Sequence, residues 1–419
     1  MALRSTLIRD FLKPQHRCFS LKQLNSPRSR IIDVPPTFDG VRFDRFLMEH
    51  LKLPWALAHR QIRSKQSFVF RKKDADYEYV YKEQAYKMQK GDKVCMPKDI
   101  KTNDSPSENE MSVSKLDEST VKGMAERLGD MIVYENEHII VINKDNGVPS
   151  QMGSGLSMDV KGEIAVDKML EAYMITNGHQ GTGKLVHRLD RKTSGLMVLA
   201  KTKDMASRLS FLLRDKTNST EPQIYKGYYA LLCGTPKFKE GLLRQSYAEK
   251  ETVWEVESLD DSRRLRVQSN GMLGRETEPF FDMRASFKVL TTAAVNPEGV
   301  ISVLTDKETA PHSSEVFTYT RFVIDTGKKH QIRLHAQYAL QTPIFADESH
   351  GYHAEKHSPI LSQQYKTKVD SKKCIMLHAG ELEIPLAPGT QQLEKFTGKF
   401  KAPMRKLLDH LQIPKGYYI

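Results

Sequence analysis

The stretch Leu185–Lys201 constrains the fold more than any other part of this chain, because a run of apolar residues follows directly on a cluster of charges. The run Leu196–Ala200 predicts a strand. Asp190 lies shortly before it among Arg188, Arg191 and Lys192, so we expect this carboxylate on a loop at the strand's edge. The cations would keep it ionised and could meet phosphate, which suits a nucleophile that acts on a nucleic acid. Taken alone, an Asp beside two Arg is more often a surface ion pair.

The overall charge favours a polyanionic partner. The 419 residues include 64 Lys and Arg against 52 Asp and Glu, which gives a formal net charge of +12. This excess is typical of proteins that bind nucleic acid, although a basic soluble protein from a basic compartment would share it. The length predicts two folded units with tails. No apolar run approaches the roughly 20 residues of a membrane helix, which argues against an anchor.

The cysteines give no sign of a disulfide framework or a zinc knuckle. Cys18, Cys95, Cys233 and Cys374 are far apart and form no Cys-x-x-Cys pair. We therefore expect them to be reduced and structural.

Residues 1–30 are basic and amphipathic. They contain seven Lys and Arg against the single acid Asp10, with apolar residues between them. The segment resembles a mitochondrial presequence, and Arg17–Ser20 resembles a processing site. A disordered basic arm would share these features. We predict import into the mitochondrial matrix.

Residues 33–98 are predicted to form a small basic α/β module. Apolar residues recur at helical spacing from Phe43 to Leu51, and a second helix follows Pro54. Nine Lys or Arg lie between residues 42 and 73, against Asp44 and Glu49. The pattern resembles the helical-hairpin RNA-binding module named for a protein of the small ribosomal subunit. That resemblance makes Arg60, Arg63 and Lys65 candidate phosphate contacts, although a solvated basic face would look similar.

A polar segment, 99–122, is predicted as a linker, and residues 123–419 as a larger domain. Short strands are expected near 131–134, 138–143 and 225–232, with a helix capped by Asp204. The charged, weakly periodic residues 236–282 are interpreted as an insertion between strands and not as core.

Several motifs resemble the RluA-type pseudouridine synthases, and the chain is identified as a member of that family. The resemblance spans roughly residues 131–405. Its most specific part is His-Arg-Leu-Asp190 followed by Thr-Ser-Gly-Leu. The other motifs, in chain order, are Ile139–Pro149, Lys226–Gly234, Thr326–His335, Pro343–Asp347 and Leu377–Ala379.

The resemblance implies an α+β fold in which the catalytic domain has a mixed, mainly antiparallel sheet, and it implies isomerisation of uridine to pseudouridine in RNA. Asp190 would attack the nucleoside, Tyr228 would stack on the flipped uracil or transfer protons, and Arg333 would pair with the carboxylate. Arg188 would brace the gap left by base flipping, or only contact phosphate. No metal, nucleotide or redox cofactor is implied.

Three histidines of these motifs, His187, His330 and His335, are assigned to the scaffold and not to a metal site. One departure from the family pattern concerns Lys328-Lys329, which replace the usual Arg-Thr and so substitute point charges for a planar donor.

Three other functions compete with a synthase. Gly178–Lys184 has the spacing of a phosphate-binding loop, but Leu185 follows where a nucleoside triphosphatase needs Ser or Thr. A glycosidase usually needs two opposed carboxylates. The serious rival is an RNA-binding ribosome-assembly factor that keeps the synthase fold with secondary or lost activity.

Overall fold

The computed structural model describes residues 18–19, 29–53, 55–64, 66–73, 76–79, 86–98, 100, 113, 116–152, 164–179, 183–214, 223–248, 251–260, 263–269, 283–305, 308–365 and 370–419. The chain divides into two compact units, residues 1–111 and 112–419. Most of the predicted presequence, 1–30, lies outside the described residues. The last part of the predicted linker is helical, because a helix begins at Glu118 with Asp117 as its N-cap.

The first unit combines helices with a five-stranded sheet. Its elements are β1 (Cys18–Phe19), β2 (Ser29–Asp33), α1 (Phe43–Glu49), α2 (Trp55–Arg63), β3 (Phe68–Lys73), β4 (Asp76–Tyr79) and β5 (Asp92–Pro97). The strand order is β1-β4-β3-β5-β2. Phe43, Phe46 and Leu47 of α1 are buried against Leu57 and Ile62 of α2, as the helical spacing predicts.

The second unit contains one large sheet with helices. Its elements are α3 (Glu118–Gly129), β6 (Ile132–Glu135), β7 (Ile139–Lys144), α4 (Val166–Thr176), β8 (Lys184–Leu185), β9 (Ser194–Ala200), α5 (Lys203–Arg214), β10 (Tyr225–Cys233), β11 (Glu240–Ala248), β12 (Glu251–Ser258), β13 (Arg264–Ser269), β14 (Met283–Val295), β15 (Ile301–Leu304), β16 (Glu315–Ile324), α6 (Gln331–Leu334), α7 (Ala354–His357), α8 (Pro359–Tyr365), β17 (Leu377–Ile384), β18 (Glu394–Thr397) and α9 (Ala402–His410). A wider helical turn, His335–Ala339, continues α6.

The large sheet is mixed and mainly antiparallel, which confirms the predicted α+β fold. Its central order is β13-β12-β11-β14-β16-β10-β17-β9-β7-β6. The pairing of β9 with β17 is parallel, with Ser194 opposite His378. The backbones approach closely there, because a Cβ on Gly195 would lie 2.2 Å from the carbonyl oxygen of Ala379. Only glycine fits this position, whose φ is +118°.

Strand β9 is buried along its whole length because helices cover both faces of the sheet around it. Val198 packs in a cluster with Met205 and Leu209 of α5. Met197 packs in another cluster with Met169 of α4. This double burial explains why the strand reads as a continuous apolar run without polar alternation.

Two sequence expectations are wrong. Residues 240–248, 251–258 and 264–269 are strands that extend the sheet, and Leu243 and Trp254 are fully buried in its main core. Their buried positions alternate with charged ones, so charge density concealed the strand pattern. Helix α5 begins at Lys203, and its Met205 amide donates to Thr202 Oγ1 at 3.2 Å, so Thr202 caps it instead of Asp204.

Candidate active site

Asp190 lies on the loop that joins β8 to β9, and the turn after β7 clamps that loop from one side. The hydroxyl of Ser150 donates to the carbonyl of Leu189 at 2.7 Å and accepts from the Leu189 amide at 3.1 Å. The Gly147 amide donates to the Arg191 carbonyl at 2.9 Å, and Arg191 Nε donates to the Gly147 carbonyl at 2.9 Å. Hydrogen bonds on both sides of Asp190 thus hold its backbone in place.

Lys144 supports the same clamp from inside the protein. Its side chain is fully buried. The ammonium group donates to the carbonyls of Asp145 and Val148 at 2.9 Å each and to that of Arg191 at 3.4 Å. Burial lowers the pKa of Lys144 to about 7, and the charges of Asp145 and Asp190 oppose this shift. A single cation therefore ties the turn to the loop that carries Asp190.

We expect Lys144→Met to lower the free energy of unfolding by about 3 kcal/mol, because methionine leaves these carbonyls without their donor. Chemical denaturation measures the loss. Lys288→Met is the control, since Lys288 pairs with Glu240 while its own side chain is 64% exposed, and its loss should cost about 1 kcal/mol or less. Equal losses in the two variants would contradict the clamp.

Arg333, at the start of the helical segment after β16, joins two carboxylates. Its Nη1 donates to Asp190 Oδ2 at 3.1 Å. Its Nε and Nη2 donate to the two oxygens of Asp347 at 2.7 Å each. The side chain of Asp347 is fully buried, whereas that of Asp190 is 28% exposed. Asp347 therefore fixes the plane of the guanidinium, which leaves one donor directed at Asp190.

The pKa values of this pair follow from burial opposed by hydrogen bonding. Burial would raise the pKa of Asp347, but the hydrogen bonds from Arg333 and His350 lower it to about 2. Burial would lower the pKa of Arg333, but the hydrogen bond and charge of Asp347, with those of Asp190, raise it. Both groups are therefore charged across the physiological pH range.

A cavity of about 650 Å³ opens beside Asp190. That volume lies within the range of ligand sites. Lys226 and Tyr228 line it from one face of β10, as Arg188 and Arg333 do from other elements. Burial first, and the charge of Asp190 second, raise the pKa of Tyr228. The phenol therefore remains protonated at neutral pH and can act as a hydrogen-bond donor.

His330 also lines this cavity. Its Nε2 lies 3.7 Å from Asp190 Oδ1, and its Nδ1 lies 3.2 Å from Nε2 of His350. The other ring nitrogen of His350 lies 3.3 Å from Asp347 Oδ1. Asp190, Arg333, Asp347, His350 and His330 consequently form a closed ring of contacting polar side chains.

The other motif histidines are structural in their contacts. His187 Nε2 accepts from the Val198 amide at 3.0 Å, and burial of the ring lowers its pKa to about 3. His335 is fully buried, and its ring packs edge-on against Trp254. Among the described residues, no group of three or more His, Cys, Asp and Glu is arranged to hold a metal ion.

Comparison with known proteins adds an independent line of argument. The sequence profile of the RNA pseudouridylate synthase family matches residues 138–338, which include Asp190, Tyr228 and Arg333. This part of the chain therefore resembles the RluA-type pseudouridine synthases. The proteins of that family are RNA pseudouridine synthases, which are isomerases.

Two relatives illustrate the range of similar RluA-type proteins. The chain is 31% identical over 245 residues to RNA pseudouridine synthase 4, mitochondrial, of Arabidopsis thaliana, an alignment that covers 56% of this chain and 43% of that protein. It is 27% identical over 323 residues to ribosomal large subunit pseudouridine synthase C of Vibrio vulnificus, an alignment that covers 77% of this chain and 80% of that protein. Among solved structures, that of human RNA pseudouridylate synthase domain containing 4 is similar, with 21% sequence identity and a TM-score of 0.48. The superposition covers 70% of this chain and 97% of that one.

The structure brings Asp190, Arg188, Tyr228 and Arg333 to one cavity. Arg188 is exposed there, and within the described residues its guanidinium makes no ion pair. The candidate RNA-binding residues belong to the other unit. Arg60 is exposed on α2. Arg63 lies at the end of α2, but its side chain falls outside the described residues, as does all of Lys65.

Sequence reasoning missed two members of the candidate site, Asp347 and His350. Both follow the residues matched by the family profile, 138–338. Asp347 occurs within the quoted motif Pro343–Asp347, where an acid after apolar residues signals a buried carboxylate that needs a partner. His350 follows three residues later, and only its contacts show its place in the site.

Proposed function

We propose that this chain isomerises uridine to pseudouridine in structured RNA, with Asp190 as the essential catalytic carboxylate. The observation that carries the proposal is the hydrogen bond from Arg333 to Asp190 at the wall of a cavity of about 650 Å³. A fixed guanidinium orients the carboxylate. Asp190 attacks the nucleoside, the glycosidic bond breaks, and the freed uracil rotates and rejoins through carbon 5.

The surroundings of Asp190 suit a flipped nucleotide. Tyr228 presents a buried aromatic ring for stacking on uracil. Arg188 is exposed at the cavity and available to phosphate or to the gap left in the stack. Lys328 and Lys329 add exposed cations on the same wall, as single point charges and not as planar donors.

The proposed substrate is ribosomal or transfer RNA in the mitochondrial matrix, with messenger RNA as a further substrate class. The names of two relatives support this choice, since one is a mitochondrial RNA pseudouridine synthase and the other is a ribosomal large subunit pseudouridine synthase. The basic residues 1–30 support import. Within the described ranges, no helix is long and apolar enough to cross a bilayer.

The test is tritium release from RNA labelled at carbon 5 of uridine, measured in a single turnover with excess purified protein. Separate transcripts of mitochondrial ribosomal RNA, mitochondrial transfer RNA and messenger RNA identify the substrate class. Release from one class supports the proposal. Binding without release from any class would favour the ribosome-assembly factor, which needs basic surfaces but no chemistry.

We also propose that the 33–98 module binds RNA through Arg60, Arg63 and Lys65. Reversing all three to Glu should weaken RNA binding and reduce the slope of log affinity against log salt by about 3, since each lost phosphate contact removes about one unit. Titration at several salt concentrations measures both quantities.

A charge-matched control is available on the second unit. Arg405, Lys406 and Lys415 are exposed there, and their reversal changes the net charge of the protein equally. We expect the control to retain most of the salt slope. Equal slopes for the module variant and the wild type would refute the RNA-binding role of the module.

A further inference from the structure

The network behind Asp190 determines which nitrogen of His330 carries hydrogen. Asp347 is the fixed point, because Arg333 donates to both of its oxygens and a carboxylate can only accept. His350 Nδ1, 3.3 Å from Asp347 Oδ1, must therefore be a donor. In a neutral imidazole the second nitrogen is then an acceptor.

His350 in turn fixes the hydrogen position on His330. When both rings are neutral, His350 Nε2 accepts, and the contact of 3.2 Å with His330 then requires a hydrogen on His330 Nδ1. The remaining nitrogen of His330, Nε2, therefore has a bare lone pair. That atom lies 3.7 Å from Asp190 Oδ1, beyond hydrogen-bond distance, and His330 lines the cavity. The network thus presents a proton acceptor beside the catalytic carboxylate.

The pKa shifts of the two candidate bases, His330 and Tyr228, favour His330 as the proton acceptor. Burial lowers the pKa of His330 to about 4, with the charge of Asp190 opposing the shift. The imidazole is therefore neutral at pH 7, which is the protonation state that a general base requires. Tyr228 faces the same cavity, but its raised pKa keeps the phenol protonated, so it can donate a proton and cannot readily accept one.

The backbone is strained at both ends of this network. His330 has φ +57°, and Ala346, directly before Asp347, has φ +67°. A side chain in this left-handed region costs on the order of 1 kcal/mol or more, and such strain persists where the surrounding structure enforces it, often at active sites. Both residues thus keep a costly conformation that places the network.

We propose that His330 is a catalytic base that removes the proton from carbon 5 of the target uridine, and that His350 and Asp347 are positioning residues that fix its tautomer. The inference rests on the function proposed above and assigns a group to one of its steps. It also reverses the sequence-based assignment of His330 to the scaffold.

The step balances without any co-reactant. Once the N1–C1′ bond has broken and the C5–C1′ bond has formed, carbon 5 carries both C1′ and a proton. Nε2 of His330 takes this proton, the C5–H electron pair becomes the C5=C6 double bond, and the C6=N1 pair moves onto N1. N1 then takes up a proton, so the isomerisation has no net proton change. His330 can pass its Nδ1 hydrogen to His350, which spreads the added charge towards Asp347.

Two substitutions at His330 separate a base from a structural residue. Asn tolerates the left-handed backbone, and its amide can still donate to His350, but it offers no basic nitrogen. Gly also suits this backbone and leaves space for added imidazole. We expect His330→Asn to slow product formation about 100-fold or more. We expect deuterium at carbon 5 to slow the variant further than the wild type, and imidazole to restore activity to His330→Gly.

His350 tests the positioning role. The amide oxygen of Gln can still accept from His330, whereas Leu cannot. We expect His350→Gln to keep most activity and His350→Leu to lose about 10-fold or more, as for other groups that orient a functional imidazole. Equal activity in the two variants would remove His350 and Asp347 from the proposal.

Single-turnover tritium release with unchanged RNA affinity decides the outcome, and His353→Asn, at an exposed histidine, is the matched control. Wild-type rates in both His330 variants would overturn the inference. A slower reaction would also overturn it if the carbon-5 isotope effect of His330→Asn stayed unchanged and imidazole restored no activity to His330→Gly. Such a result would indicate a structural role for His330. Absence of release from the wild type itself would instead overturn the proposed function, and this inference with it.

Discussion

Asp190→Asn should abolish pseudouridine formation while leaving RNA binding intact. The amide has nearly the shape of the carboxylate and can still accept from Arg333, but it is not a nucleophile for this step. We expect single-turnover tritium release to fall by about 10⁴-fold or more, as when a nucleophile is removed from other enzymes. Affinity for RNA should persist, because phosphate contacts supply most of it.

Stability provides the control for this variant. The Asp190 side chain is 28% exposed, so loss of its ion pair should change the free energy of unfolding by about 1 kcal/mol or less. Activity near the wild-type level would remove Asp190 from the mechanism. Full cellular function of an inactive Asp190→Asn protein would support the assembly-factor role.

Arg333→Met should cause the largest combined loss of stability and activity. The substitution leaves the fully buried Asp347 without its bidentate partner, and an unpaired buried charge costs about 3–5 kcal/mol. It also removes the donor that orients Asp190, so we expect tritium release to fall by about 100-fold or more. Denaturation and single-turnover assays measure the two effects separately.

A second substitution distinguishes the two roles of Arg333. In Arg333→Met combined with Asp347→Leu, no buried charge remains unpaired, so stability should recover largely. Activity should not recover, because Asp190 still lacks its donor. Recovery of both would mean that Arg333 acts only through stability.

The pH dependence of stability provides a further check on the same pair. The pKa of Asp347 is lowered from 3.8 to about 2, so its ionisation stabilises the fold above pH 4, and this contribution is lost as the pH falls towards 2. The unpaired Asp347 of Arg333→Met destabilises the fold until it is protonated. The difference in stability between wild type and Arg333→Met should therefore narrow between pH 4 and pH 2. A constant difference would contradict the ion pair.

Sequence predicted well those parts of the fold that local patterns specify. The apolar run 196–200 predicted β9 because burial on both faces leaves no room for polar residues. Prediction from sequence failed where charged and buried residues alternate along a strand, as in β12, where Glu255 and Glu257 flank the buried Val256. There the local charge obscured the fact that every second side chain enters the core.

The candidate site was predictable only through its motifs. Asp190 and Arg333 belong to segments that resemble the family, but their contact joins positions 143 residues apart, which no local pattern reveals. The role of His330 could not be read at all, since it depends on the hydrogen-bond direction set by Asp347 through His350. These assignments need the tertiary structure.

The parallel pairing of β9 with β17 also bears on when the enzyme becomes competent. Ser194 Oγ and His378 Nδ1 lie 2.8 Å apart across a separation of 184 residues, and closing a loop of that length costs about 5 kcal/mol of chain entropy. Long-range contacts of this kind form slowly, because the entropy of loop closure is lost before the contact stabilises the chain. A growing chain that has not yet emerged from the ribosome as far as β17 cannot complete the sheet beneath Asp190. Modification of RNA should therefore await synthesis of nearly the whole protein, and enzymatic activity can serve as a reporter of complete folding.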